Sequence, residues 1–399
     1  SCLFETTVRA AFEEAAAEEE EEEEEFVMSS SSALERAMAR TLDAFARRAA
    51  AAKSPRGGAG LKTPGGGSEK SGDGVVLSQS RAVVRLSGSD SAKLLQGLVT
   101  NDVDVLAKWE KDEERRKREE GKASTSGKKK SEMYAALLTP KGRIVTDVFL
   151  HATNKNEILI DSCRDAKDTL LTQIVRRKLR SDVSVEDASE ELSVCVVPPS
   201  SHDVVDDDDG ARVLLPADPR WIGLGRRGIS RMNQTTAKKT DEDVDLDEKV
   251  YAHWRHANGV PEGSLELGDR FPAETRLTHL HAVSFTKGCY VGQEPTARAE
   301  FQGEVRKGIV PVVFDEDKEI KVNGTVISKK GGKEIGKVVA SRGGGVGLAL
   351  VRFAKVENVS EGVSIETVDD DGAEKEMKTF TECEFGTPNW WSHRWTSRD

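Results

Sequence analysis

The alternation of apolar and polar positions predicts an antiparallel α+β domain within residues 75–200. Apolar positions two residues apart predict strands, and apolar positions three and four apart predict helices. The predicted strands are 83–86, 133–138, 144–150, 157–161, 183–186 and 192–197. The predicted helices are 90–99, capped by Ser89 or Asp90, and 164–179, with Leu170, Leu171, Ile174 and Val175 on one face. Strands and helices in this order are typical of an α+β fold.

The pattern changes twice beyond residue 200. Residues 201–303 predict a second α+β domain, with strands at 212–215 and 221–224 and a helix at 245–258 that ends at Gly259. Residues 304–399 carry only short β segments, which predict a small closed or sandwich β domain. Those segments are 309–314, 324–328, 335–341, 347–352, 363–368 and 377–385.

Composition indicates that residues 1–74 are not part of the folded domains. Of the 399 residues, 1–27 include eleven Glu against Arg9, so this part is predicted to be an acidic disordered extension. Residues 28–60 are rich in Arg and Ser and poor in acids, which predicts an organellar transit peptide that begins at Met28. An Ala/Arg-rich disordered tail is the alternative for this segment. Residues 61–74 are rich in Gly, Ser and Pro and predict a linker.

Hydropathy, charge and histidine spacing argue against membrane, nucleic-acid and zinc binding. No apolar run approaches the length of a membrane span, so no membrane partner is expected. Residues 108–132 hold ten basic and seven acidic residues with Trp109 as the single aromatic, which favours a solvated insertion over a nucleic-acid site. His253, His256, His279 and His281 lack the spacing of a zinc site and are predicted to be surface or core residues.

Five cysteines are scattered at positions 2, 163, 195, 289 and 383, without a C-x-x-C pair. Their odd number and wide spacing argue against a disulfide scaffold and indicate a reducing compartment.

The stretch 284–298 concentrates reactive residue types around Cys289. The positive charge of Lys287 would favour the thiolate, which is the form that acts as nucleophile or metal ligand. Gly288 and Gly292 allow a ligand to approach the backbone closely. Gln293 and Glu294 could hold the loop or a bound molecule by hydrogen bonds, and Tyr290 and Arg298 are supporting residues of the same motif. In the alternative interpretation, Cys289 is a small buried hydrophobic residue.

This stretch resembles the signature of the YgfZ-like folate-binding family, relatives of the glycine-cleavage aminomethyltransferase. Two further stretches resemble its mitochondrial branch, whose members assist iron–sulfur cluster assembly, and the similarity covers roughly residues 75–395. The three stretches are Lys287-Gly288-Cys289-Tyr290-x-Gly292-Gln293-Glu294, Tyr251-Ala252-His253-Trp254-Arg255-x-x-x-Gly259-Val260-Pro261-Glu262-Gly263 and Pro388-Asn389-Trp390-Trp391. Two positions depart from the family: Pro295 stands where an aliphatic residue or Met is expected, and Glu300-Phe301-Gln302-Gly303 replaces a His-rich continuation.

The resemblance implies two ferredoxin-like α+β domains around a central pocket, followed by a small C-terminal β-barrel. It also implies that the pocket can hold tetrahydrofolate, with Glu274 as the carboxylate for the pterin edge. Asn101 and Arg143 are weaker candidates for the same cavity. A carboxylate can accept two parallel N–H bonds from a guanidine-like edge, so the residue type suits this ligand.

Two functional classes compete, and a third stays open. The resemblance favours an assembly factor in the mitochondrial matrix, with a plastid as the alternative location, that matures 4Fe–4S proteins together with A-type iron–sulfur carriers. Its clients would be aconitase-like and radical-SAM enzymes, and Cys289 would share iron or a cluster with a partner, because one cysteine cannot complete the coordination. The alternative is a folate-dependent aminomethyl or one-carbon transferase that uses a carboxylate for proton transfer. The third possibility is a purely structural role.

Overall fold

The computed structural model describes residues 75–107, 131–197, 199, 204–206, 212–231, 241–303, 305–315, 318–329, 332–356, 363–367 and 380–385. These residues fall into two compact units, one within residues 41–255 and 261–308 and the other within 256–260 and 309–399. Several predictions lie outside the described residues: the acidic extension, the transit peptide, the linker, nearly all of the charged insertion, and the motif 388–391.

The first unit contains the strands and helices that carry the candidate site. Its strands are β1 (Val75–Val76), β2 (Arg81–Ser87), β3 (Glu132–Leu138), β4 (Ile144–Asn154), β5 (Glu157–Cys163), β6 (Ser184–Asp187), β7 (Leu192–Val197), β8 (Val204–Asp206), β9 (Arg212–Leu214) and β10 (Arg226–Arg231). Its helices are α1 (Ser91–Gln96), α2 (Asp104–Ala107), α3 (Lys167–Lys178), α4 (Asp241–Ala257), α5 (Gly263–Leu267) and α6 (Gln293–Phe301).

An antiparallel sheet in the order β3-β4-β5-β2-β6 forms the centre of this unit. Successive side chains of a strand point to opposite faces, so each strand contributes to two different environments. One face is apolar and packs against the helices α1 and α3. Its core includes Val84, Leu86, Leu95, Leu137, Val148, Leu150, Ile160, Leu170 and Ile174. The opposite face is buried too, but it carries charged side chains, which are described with the site.

The helices differ from the predicted ones at their ends. The predicted helix 90–99 stops at Gln96, and Leu98 and Val99 continue as buried irregular chain. The predicted helix 164–179 begins as a 3-10 turn at Arg164–Ala166 and continues as α3. The apolar periodicity predicts Val175 on the buried face of this helix, but its side chain is 58% exposed.

The prediction of a strand at 221–224 was wrong. Residues Ile222–Leu224 form a 3-10 turn, and the strand lies just beyond it, as β10. β10 pairs with β7 in the sheet β1-β7-β10. Its sequence, with arginines at both ends and a glycine inside, lacks the apolar alternation from which strands are predicted.

The second unit is a closed barrel. Its strands are β11 (Lys307–Phe314), β12 (Thr325–Ser328), β13 (Glu334–Ser341), β14 (Val346–Arg352), β15 (Val363–Glu366) and β16 (Phe380–Phe385), and α7 (Phe353–Val356) follows β14. The strand order is β11-β14-β13-β12-β15-β16. The antiparallel pairs include β11–β16, β12–β13, β12–β15, β13–β14 and β15–β16. Val312, Val326, Ile335, Val351 and Ile365 are among the residues that fill its interior.

The predicted class, α+β with a C-terminal β-barrel, is therefore confirmed. Within the described part of the chain, no helix is long and apolar enough to cross a membrane.

Candidate functional site

Cys289 lies in a loop that is fixed at both ends. We call residues 284–291 the cysteine loop and residues 96–101 the supporting segment. The N–H of Ser284 donates to Thr100 O at 3.0 Å, and the N–H of Val291 donates to Gly97 O at 3.2 Å. The loop therefore crosses the supporting segment, with one backbone hydrogen bond at each of its two ends.

The supporting segment is itself attached to the central sheet. The N–H of Thr100 donates to Ala136 O at 3.0 Å, and the N–H of Ala136 donates to Thr100 Oγ1 at 2.9 Å. The same hydroxyl donates to Ala282 O, at 2.6 Å, just before the cysteine loop. Thr100, which is fully buried, thus joins β3 to the chain that carries Cys289.

Lys287 points into the space between the loop and the supporting segment. Its ammonium donates to Gln96 O at 2.7 Å, Val99 O at 2.8 Å and Asn101 O at 2.6 Å. The ring centroid of Tyr290 lies 5.0 Å from Nζ, within the range of a cation–π contact. Burial lowers the pKa of Lys287 to about 8, although Asp102 and Asp104 act in the opposite direction.

Cys289 and Gly288 lie on the outer side of the loop. Both are exposed, whereas the other described cysteines, Cys163, Cys195 and Cys383, are buried. A Cβ added at Gly288 would meet nothing within 4 Å. The thiol is therefore accessible to a partner molecule, and the backbone beside it is open.

Gly292 ends the loop where the chain approaches the β3–β4 hairpin closely. Its φ is +83°, and an added Cβ would lie 2.7 Å from Thr139 O and 2.9 Å from Leu138 Cβ. Pro295 packs against the same hairpin, because a Cβ at Gly142 would lie 2.8 Å from Pro295 Cβ. Pro295 is the third residue of α6, where a missing N–H costs no intrahelical hydrogen bond. This departure from the family pattern is thus accommodated by the fold.

The remaining motif residues lie on the first turns of α6. Glu294 and Arg298 form an ion pair of 2.7 Å, one helical turn apart, and both are largely exposed. Pairs of this kind contribute little to stability. The N–H of Gln293 donates to Tyr290 O at 3.3 Å. These side chains lie at the surface near the cysteine loop, where they could contact a partner.

The three folate candidates all have protein partners. Glu274 accepts the N–H of Phe271 at Oε2, at 3.0 Å, and its Oε1 lies 3.2 Å from Lys307 Nζ. Arg143 donates to Asp269 O at 2.9 Å, and its guanidinium lies 4.1 Å from the ring centroid of Phe271. Glu274 and Arg143 are therefore brought together around Phe271.

Asn101 belongs to the supporting segment instead. Its Nδ2 donates to Tyr134 O at 2.8 Å and to His281 O at 2.7 Å, and its Oδ1 accepts the N–H of Asp102 at 2.9 Å. Both donors of the Asn101 amide and both oxygens of Glu274 are thus engaged within the protein. A pterin edge would therefore have to compete with these protein groups for Glu274 and Asn101.

Sequence reasoning missed a buried ionic network on the charged face of the central sheet. Among the described residues, four arginines and five carboxylates share this space, and all of them are buried: Arg81, Arg220, Arg227, Arg255, Asp147, Asp161, Asp218, Glu262 and Glu266. The guanidinium of Arg227 lies 3.8 Å from the ring centroid of Phe149, and those of Arg220 and Arg81 lie at 4.9 and 5.4 Å. The available signal was an acidic or basic residue in each of three strands, Arg81 in β2, Asp147 in β4 and Asp161 in β5, at a position that faces away from the apolar core.

Glu262 is the member that joins most of the arginines. Its Oε2 accepts hydrogen bonds from Arg220 at 2.7 Å, from Arg227 at 3.2 Å and from the Tyr251 hydroxyl at 2.9 Å. Desolvation acts to raise the pKa of Glu262, but Arg227, Arg220 and the other arginines hold it well below its ordinary value. Burial raises the pKa of Tyr251 to about 12. The motif around residues 251–263, which carried part of the family resemblance, therefore supplies buried scaffold residues.

Comparisons with known proteins bear on both units. Residues 306–393 match the family model of the CAF17 C-terminal beta-barrel domain. The mitochondrial iron–sulfur cluster assembly factor IBA57 homologue of Mycosarcoma maydis is 34% identical over 245 residues, which is 59% of this chain and 55% of that protein. The homologue of the same name from Pyricularia oryzae is 30% identical over 304 residues, or 70% of this chain and 72% of that protein. Among solved structures, the glycine cleavage system aminomethyltransferase T of Bartonella henselae matches with a TM-score of 0.49 and 11% identity, covering 79% of this chain and 85% of that one.

Proposed function

This chain belongs to the IBA57 family of mitochondrial iron–sulfur cluster assembly factors, and on that premise we propose that it supports the maturation of mitochondrial 4Fe–4S proteins through Cys289. The family places it in mitochondrial iron–sulfur cluster assembly. A mitochondrial location agrees with the names of the relatives and with the transit peptide expected at residues 28–60.

The exposed thiol of Cys289 is the observation that supports a direct role in handling iron or a cluster. The cysteine loop holds it at the surface, while Lys287 and Tyr290 anchor the loop from inside. A single cysteine leaves coordination positions to be filled by thiolates from elsewhere. The cluster is therefore a substrate that this chain shares with a second protein, which supplies the other ligands.

The partners that fit this chemistry are A-type iron–sulfur carriers, with aconitase-like and radical-SAM enzymes as the clients that receive the product. The exposed surface of α6, with Glu294 and Arg298, lies next to Cys289 in sequence and offers charged groups to such a carrier. Charged rim residues mainly set specificity and association rate.

Tetrahydrofolate binding stays a prediction, and so does the transferase activity that would depend on it. For Glu274 or Asn101 to hold a pterin, each would have to exchange the protein groups it now binds. Fluorescence or calorimetric titration with a reduced folate tests this directly. No observation favours transfer chemistry over assembly, so assembly is the function that we put forward.

The test is anaerobic mixing of residues 61–399 with an A-type carrier that holds a 2Fe–2S cluster. We expect a complex by gel filtration and a change in the circular dichroism of the cluster. Cys289→Ser should fold normally, because the site is exposed, yet lose both signals, since oxygen is a poorer ligand than sulfur for these metals. Thr286→Ala, an exposed change in the same loop, is the matched control and should keep both signals.

An unchanged complex and an unchanged cluster spectrum with Cys289→Ser would refute the ligand role. If the parent protein itself gave neither signal, the proposal of cluster sharing with these carriers would fail as a whole.

A further inference from the structure

The contacts of Lys287 bear on how the cysteine loop presents its thiol. An ammonium group has three N–H donors and no acceptor. Three carbonyl oxygens, of Gln96, Val99 and Asn101, lie 2.6–2.8 Å from Nζ. All three donors are thus used, and none is left for the sulfur of Cys289.

At least one of these carbonyls has no donor within its own helix. Gln96 is the last residue of α1, and the final carbonyls of a helix have no intrahelical donor. A cation near a helix C-terminus also interacts favourably with the dipole. The Lys287 side chain therefore supplies hydrogen-bond donors to the last carbonyl of α1 and to two carbonyls of the irregular chain after it.

The backbone hydrogen bonds between the loop and the segment lie at the two ends of the loop. They join Ser284 to Thr100 and Val291 to Gly97. Between these two bonds, Lys287 is the residue whose side chain hydrogen-bonds to the supporting segment. Tyr290 is buried beside it, whereas Gly288 and Cys289 are exposed. Loss of the three Lys287 hydrogen bonds would leave the loop held by the hydrogen bonds at its two ends and by the burial of Tyr290.

We propose that Lys287 is a positioning residue, which clamps the cysteine loop onto the supporting segment and so fixes where Cys289 is presented, rather than a charge that activates the thiol. The proposal rests on the proposed function for its biological meaning, because a fixed thiol matters when a partner supplies the remaining ligands of a cluster. It differs from the expectation drawn from sequence, in which the charge of Lys287 favoured the thiolate.

Two substitutions distinguish a positioning role of Lys287 from an effect of its charge on the Cys289 thiol. Lys287→Met keeps the length of the side chain and removes both donors and charge. Lys287→Arg keeps the charge, but its planar fork cannot direct donors at three converging carbonyls. We expect both variants to raise amide hydrogen exchange across residues 96–101 and 284–291 at least about tenfold, and to weaken the complex with the cluster-loaded carrier by at least about tenfold.

Alkylation of Cys289 by iodoacetamide tests whether Lys287 activates the thiol. Its rate is followed by peptide mass spectrometry from pH 6 to 9, and a purely positioning role of Lys287 would leave that rate unchanged. The thiol is already exposed, so a looser loop should leave its rate and pH dependence the same in Lys287→Met as in the parent. A fall in rate at neutral pH for Lys287→Met, with Lys287→Arg equal to the parent in alkylation, exchange and complex formation, would overturn the proposal.

Thr100→Val provides a second route if the Lys287 variants fail to fold. It removes the Thr100 hydroxyl bonds to Ala282 O and Ala136 N and alters no charge. The clamp predicts faster exchange and a weaker complex with unaltered alkylation, and unchanged exchange with an intact complex would count against it. If the parent forms no complex, cluster sharing fails, while exchange and alkylation still decide the role of Lys287.

Discussion

At the scale of single residues, burial decides what a polar side chain can do. Cys289 and Lys287 are two positions apart, yet the thiol faces solvent and the ammonium is enclosed by carbonyls. A sequence places such residues side by side, but side-chain direction depends on the loop that carries them. The expectation that the charge of Lys287 would favour the thiolate rested on spacing alone, whereas in the fold all three ammonium donors are directed at carbonyl oxygens.

His151 shows the same control of chemistry by burial. It lies on the charged face of β4, and its Nε2 has no hydrogen-bond partner among the described residues. Burial lowers the pKa of His151 from 6.5 to about 4; Asp161 acts to raise it, and Arg227 acts to lower it further.

This shift predicts a loss of stability in mild acid. Between about pH 6.5 and pH 4 the unfolded chain binds a proton at His151 that the folded protein does not bind. The free energy of unfolding should therefore fall as pH drops through this window, by up to about 1.4 kcal/mol per pH unit from this residue. Urea unfolding of the parent and of His151→Gln, from pH 7 to pH 4.5, should show a shallower slope for the variant. Equal slopes would mean that His151 titrates alike in both states.

At the scale of elements, the sequence predicted the sheets better than the segments that connect them. The barrel strands and the central strands β3, β4 and β5 have clear apolar patterns, and their observed bounds lie close to the predicted ones. β10 was missed because its arginines, including the buried Arg227, hide the alternation. The cysteine loop has no periodicity, so its attachment through Thr100 and Lys287 could not be predicted from sequence.

The two glycines of the loop should differ sharply in what they tolerate. Gly292 has a positive φ and lies against the β3–β4 hairpin, so Gly292→Ala combines backbone strain with a clash at Thr139 O. We expect it to cost about 2–4 kcal/mol of unfolding free energy. Gly288→Ala is the matched control and should change stability by less than about 0.5 kcal/mol, because its Cβ meets nothing within 4 Å. Urea titrations compare the two, and a Gly292→Ala protein as stable as the parent would contradict the close approach.

At the scale of the whole molecule, the first unit has two cores of opposite character on the two faces of one sheet. The apolar core was predictable in outline, since its residues follow the periods of strands and helices. The ionic core was not, because its members come from segments far apart in the chain and meet only in the fold. Arg81, Asp161 and Glu262, for example, are joined across the unit without any local pattern that pairs them.

A buried ion pair is costly to break from one side, because the partner's charge stays buried without compensation. Glu262→Gln preserves the shape of the side chain but leaves Arg220 and Arg227 without the carboxylate to which both donate. We expect a loss of about 3–5 kcal/mol in the free energy of unfolding. Glu294→Gln, which breaks the exposed pair with Arg298, is the matched control and should leave stability almost unchanged. Added salt should leave the difference in unfolding free energy between Glu262→Gln and Glu294→Gln largely unchanged, since a buried ion pair is screened far less than an exposed one. If Glu262→Gln unfolded at the same urea concentration as Glu294→Gln, the carboxylate would be dispensable, and the arginines would have to be held by the remaining members of the network.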